Sequence, residues 1–198
     1  MTWHFESEII AIAVLIVLLW NARIELDLSK KRDRAFVMAM LSSLLFSMVD
    51  LSDSLVEMYS GNAPLIFFFR SLYYLTLILP ALVWFFYLLT LIYAKKPQYC
   101  KRGWYFGWFS YAVFAGFILA NIWTHHIFSM DGTTPVHGFL FPVNYAFFDI
   151  YLGVFFLALF THLKAIEDKQ SVIALAMLPL ILLIGLILED LLSGWQML

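Results

Sequence analysis

Asp50, Asp53 and Glu57 stand three and four residues apart in the stretch Val49-Asp50-Leu51-Ser52-Asp53-Ser54-Leu55-Val56-Glu57-Met58. At 100° per residue they fall within about 60° of one another on one helix face. Arg70 follows shortly, flanked by Phe67-Phe68-Phe69 and Leu72-Tyr73-Tyr74. Asn144, Asp149, Glu189 and Asp190 interrupt two later apolar runs. One charge at the centre of a membrane span costs about 2.5–3.5 kcal/mol on insertion scales. Carboxylates and a guanidinium in such a medium have a short list of uses: pairing with each other, holding a ligand, or passing protons.

The elements that position these groups follow from composition. The 198-residue chain is 63% hydrophobic and 13% charged, with a mean hydropathy of +0.86. A soluble domain is nearer half apolar and a quarter charged. Apolar runs of membrane-spanning length recur along the whole sequence, which predicts an all-α polytopic helical bundle in the cell membrane. We read one sensory-type domain, 1–198, with six spans near 7–25, 35–59, 64–94, 103–123, 138–163 and 171–193. The third is long enough to tilt. Pro80, Pro142 and Pro179 sit inside or near span starts, where neighbouring helices or hydroxyls can satisfy the freed carbonyls. The segment Met1–Glu8 carries two glutamates and no Lys or Arg, so it does not read as a secretory signal and the first span is expected to be retained.

Orientation follows from the cations. Eleven of the twelve Lys and Arg residues fall in alternate loops: Arg23, Lys30, Lys31, Arg32 and Arg34; Lys95, Lys96, Lys101 and Arg102; Lys164 and Lys169. The positive-inside rule makes those loops cytoplasmic and places the N-terminus outside. Between spans four and five, Asp131-Gly132 separates Ile127-Phe128 from Val136, a turn signal that predicts a small extracellular β-hairpin.

With 1.5 Å of rise per residue, Glu57 lies near the outer surface, Asp53 and Arg70 roughly 9 Å below it and Asp50 roughly 14 Å below. The deep polar residues therefore share the outer half of the membrane, whereas the inner halves are almost wholly apolar. An outward-opening pocket lined by Asp50, Asp53, Glu57, Arg70, Asn144, Asp149 and Glu189 accounts for that asymmetry. Its acidic excess favours a cationic, amine-bearing or metal-containing ligand. The competing reading is structural pairing of Arg70 with Asp53 or Glu57, with one carboxyl kept protonated by burial.

Other chemistries find less support. His125, His126 and His137 share an outer loop, and His4 lies on the same side, but there is no His-Glu-x-x-His helix or similar metal-ligand spacing. Cys100 is the only cysteine, so neither an internal disulfide nor a cysteine zinc cluster is available. Walker, nucleophile-elbow and dinucleotide-binding signatures are missing, and no cofactor is implied. A formal net charge of −2, without a basic patch, gives no footing for nucleic acid.

The order of features resembles the multi-pass N-terminal sensory region of bacterial membrane-bound diguanylate cyclases of the GGDEF type and, more loosely, the seven-helix N-terminal region of some histidine kinases. The resemblance is carried by Asp50-Leu51-Ser52, by the Tyr73-Tyr74 to Pro80 region, and by Asn121 to Phe139. That last segment contains Ile127-Phe128, the Asp131-Gly132 turn and His137-Gly138-Phe139. The family's last step usually reads His-Arg-Gly, whereas this chain has Val136-His137-Gly138. The resemblance implies a homodimeric sensory module followed by a further span and a cytoplasmic catalytic domain. No Gly-Gly-Asp-Glu-Phe motif or phosphoacceptor helix occurs here. The expectation is thus a non-enzymatic receptor module for a small ligand, in contact with membrane lipid, whose output domain lies outside this chain. A small-solute or proton-coupled transporter is the alternative.

Overall fold

The computed structural model describes residues 3–94 and 96–163, together with Ile166 and Leu175. Six helices and one hairpin follow in order: α1 (Trp3–Glu25), α2 (Lys31–Tyr59), α3 (Ala63–Leu77), α4 (Leu79–Ile92), α5 (Pro97–Thr124), β1 (Phe128–Asp131), β2 (Thr134–His137) and α6 (Pro142–His162). The chain divides into two compact units, Met1–Tyr151 and Leu152–Leu198. In the second unit, α6 continues to His162, where Thr161 Oγ1 donates to the Leu157 carbonyl at 2.6 Å.

Four helical segments among the described residues are long and apolar enough to cross a membrane: Lys31–Tyr59, Ala63–Ile92, Gln98–Thr124 and Pro142–His162. Their outward faces carry Leu41, Leu45, Met48, Phe106, Phe109, Val113 and Ile150, a surface that only lipid covers without penalty. The protein is a multi-pass membrane protein. Six predicted spans are thereby corrected to four among the described residues. In α1 the uncharged run between Glu8 and Arg23 covers only residues 9–22. That is about 21 Å of helix against a hydrocarbon core of about 30 Å. The last predicted span, 171–193, lies outside the described residues apart from Leu175.

The predicted third span is two helices. Pro80 has no N–H to offer the Thr76 carbonyl, and the helix breaks at Ile78 before resuming at Leu79. Below the break α4 takes the centre of the first unit, in contact with α2, α3 and α5. Leu82, Phe86 and Leu88 are almost fully buried, as expected of a helix that is apolar all round. Gly103 and Gly107 bring α5 against it. A Cβ on Gly103 would lie 2.5 Å from Leu89 Cδ1, and one on Gly107 would lie 2.9 Å from Leu82 Cδ1. Small residues one turn apart are the usual means of close helix contact in lipid. Phe86 stacks on Trp104 at 4.6 Å between ring centres. On the opposite side Trp84 Nε1 donates to Ser43 Oγ of α2 at 3.2 Å.

The connections have local causes. In the α1–α2 loop the Ser29 hydroxyl and N–H donate to the Asp27 carboxylate at 2.7 and 3.0 Å, and Lys30 lies 3.7 Å away. These contacts, the Ser29 hydroxyl first, hold Asp27 below the ordinary carboxylate range. Asn62 caps α3, accepting the Leu65 N–H at 3.2 Å, with Pro64 in the first turn. The hairpin forms as predicted, with Phe128 opposite His137, Asp131 opposite Thr134, and Gly132 at φ +61°.

Candidate functional site

The face of α2 that carries Asp50, Asp53 and Glu57 turns toward α3, and Arg70 meets it. Arg70 Nε lies 3.1 Å from Asp53 Oδ2, and its Nη2 donates to Glu57 Oε2. The Nε contact is an ion pair without hydrogen-bond alignment, and both Arg70 Nε and Asp53 Oδ1 are buried with no hydrogen-bond partner among the described residues. The Asp53 side chain is 4% exposed, Arg70 17% and Glu57 41%; the pairing therefore grades from buried to partly open along α2. Asp50, one turn deeper, lies within electrostatic range of Asp53.

Aromatic side chains enclose the guanidinium. Its central carbon sits 6.0 Å from the Tyr73 ring centre, and the Tyr74 phenol lies beside it. Tyr74 is 2% exposed and contacts Phe128 of β1 at 5.4 Å and Phe141 at 6.1 Å. Phe67, one turn before Arg70, meets Phe128 at 4.8 Å. The hairpin therefore rests on the same turns of α3 that carry Arg70.

Asn121 fixes that seat. It is 1% exposed; its Nδ2 donates to the Phe128 carbonyl at 2.9 Å and its Oδ1 accepts the Ile127 N–H at 2.8 Å. Gly138 closes the other side, its N–H donating to the Ile127 carbonyl at 2.8 Å. Both residues belong to the segment that the sequence singled out, but their structural work was legible only once the strands were paired.

The remaining predicted residues divide. Asn144 is fully buried in the first turn of α6, and neither side-chain amide atom has a hydrogen-bond partner among the described residues. Its neighbour Tyr145 is within electrostatic reach of Tyr74. Asp149 is exposed. Five residues beyond Asn144, it sits about 140° further round the helix, so one face cannot present both. Glu189 and Asp190 lie outside the described residues.

The three hairpin histidines go to aromatic rings. His125 caps α5 in the left-handed region at φ +53° and lies 5.9 Å from Phe67; His126 lies 4.8 Å from Phe139. His137 stacks on Phe141 at 3.6 Å. Among the described residues no three His, Cys, Asp or Glu side chains form a group suited to a metal ion.

No family model, curated protein or solved structure matches this chain. It stands as a mostly helical, multi-pass membrane protein of the general kind found in sensory and signalling systems. Nothing found ties it to diguanylate cyclases in particular.

Proposed function

We propose that this chain is a membrane sensory module that binds a small ligand in an outward-facing polar pocket and passes the bound state to a cytoplasmic output domain carried outside it. The observation that carries this reading is the Asp53–Arg70–Glu57 pairing, buried between α2 and α3 within two membrane spans and roofed by the hairpin. Intramembrane ionisable groups that join two helices form an element whose balance a ligand can shift. Asp50, Asp53, Glu57, Arg70 and Asn144 form the proposed ligand-binding set. The resemblance to the sensory regions of diguanylate cyclases and histidine kinases supports the same reading, along with a non-catalytic role for this domain and a homodimer.

A second reading has one observation in its favour. The break at Ile78 makes two half-helices within one span, and discontinuous helices are a feature of transporters. Uptake of labelled solutes by proteoliposomes tests it.

The receptor reading is tested by a small-molecule thermal-shift screen of purified protein, with Arg70→Ala and Asp50→Asn run alongside. A compound that stabilises the parent and neither folded variant upholds it. If nothing binds and both variants merely melt earlier, the cluster is structural.

A further inference from the structure

Resting on the receptor reading, we infer that the ligand is a small protonated amine seated on Asp53 Oδ1. Among the described residues this carboxylate oxygen is buried without a donor: Asp53 is 3% exposed, and the Arg70 Nε that meets its Oδ2 at 3.1 Å makes no aligned hydrogen bond to either oxygen. A buried carboxylate oxygen seeks a donor, preferably a charged one.

The arginine does not serve an anion. Its Nη2 bonds to Glu57 and its Nε faces Asp53 as an ion pair without a hydrogen bond, so an incoming anion would lie against both of these carboxylates, with Asp50 behind them. An ammonium group meets the opposite situation. It adds positive charge beside three carboxylates of one helix face and brings the N–H donor that Oδ1 lacks. Aromatic faces nearby, Tyr73 and Tyr74, suit a cation as well. A multivalent metal ion fits less well, since the described carboxylates and histidines form no metal-ligating group.

Asn144 extends the specification. Both ends of its buried side-chain amide lack partners among the described residues, and Tyr145 beside it reaches the Tyr74 phenol electrostatically. An amine that also carries a hydroxyl or carbonyl offers this amide a partner, whereas a bare alkylamine does not.

The experiment uses the full chain in detergent and measures binding by calorimetry and thermal shift. Probes are ethylamine, ethanolamine, 1,4-diaminobutane and phenylethylamine, each matched with its neutral alcohol, with glycolate as the anion and sodium chloride as the ionic-strength control. Stabilisation by an amine but not by its alcohol is expected. Asp53→Asn should weaken binding at least tenfold and Glu25→Gln, exposed on α1, should leave it unchanged. Should Asp53→Asn fail to fold, the amine-against-alcohol comparison on the parent still decides. Binding of an alcohol or glycolate with no amine binding overturns the amine inference and leaves the receptor reading standing. Failure of every probe, together with a negative library screen, overturns both.

Discussion

The hydroxyl of Tyr111 on α5 donates a 2.9 Å hydrogen bond to the Leu75 carbonyl in the last turn of α3. That carbonyl would normally accept the N–H of Leu79, but the helix breaks at Ile78. In lipid a freed carbonyl needs a partner, and the phenol supplies it.

Tyr111→Phe removes this donor from the half-buried Leu75 carbonyl. The expected loss is about 1–3 kcal/mol, the usual penalty for an orphaned buried polar group. Hydrogen exchange across α3 should rise with it. An unchanged exchange pattern would mean that the break is supported in some other way.

Arg70→Ala leaves Asp53 as a buried, unpaired carboxylate and should destabilise by about 3–5 kcal/mol, the range for a broken buried pair. The contact with Glu57 adds little to this, because Glu57 is 41% exposed and its interaction is screened. Replacing both partners, Arg70→Met with Asp53→Leu, should restore most of the melting temperature, since matched apolar residues often substitute for a buried pair at no loss. Ligand response should stay absent in that double variant. A double variant that melts as early as Arg70→Ala would contradict this account.

Gly138→Ala should unseat the hairpin. A Cβ there would overlap the His126 carbonyl oxygen and lie 3.1 Å from the Ile127 carbonyl carbon, with only backbone available to yield. Gly132→Ala meets open space and pays only for its φ of +61°, about 1–2 kcal/mol. Limited proteolysis of the 125–140 segment should therefore be much faster in Gly138→Ala than in Gly132→Ala. Equal rates would refute the close approach.

Asp27 gives a pH effect of known sign. Its carboxyl is held below the ordinary value, first by the Ser29 hydroxyl. Its contribution to the α1–α2 loop is thus fully present above the unfolded carboxylate value, near pH 3.9, and lost as pH falls through the folded value. Ser29→Ala should move the Asp27 titration upward, toward the ordinary value, in carboxylate NMR. A titration that stays in place would assign the effect to the Ser29 N–H, which the substitution keeps, and then to Lys30.

The ion pairing of α2 with α3 was legible because charges in an apolar run have few places to go. Their three- and four-residue spacing fixed the shared face before any coordinates. The hairpin was legible through Asp131-Gly132, where a turn demands a positive φ. Hydroxyl contacts were not: Tyr111, and Ser110 with its hydrogen bond to Tyr151, sit among aromatic residues whose pattern says only lipid or core. The number of spans was over-read, because apolar character between Glu8 and Arg23 signalled a membrane helix while the run itself was too short. Asn144 and Asp149 were grouped by depth alone, and depth says nothing of angle around a helix.

Gly103 and Gly107 lock α5 to α4 below the break, whereas the segment above it is held through polar and ring contacts: Arg70 to α2, Tyr111 to Leu75, and Phe67 and Tyr74 to Phe128. The span is thus fastened in two ways: by close backbone approach in one half and by side-chain pairing in the other. Along the chain, a displacement of Arg70 would reach α4 by way of the turn at Ile78, and pass from there to α5 where the two glycines admit α4.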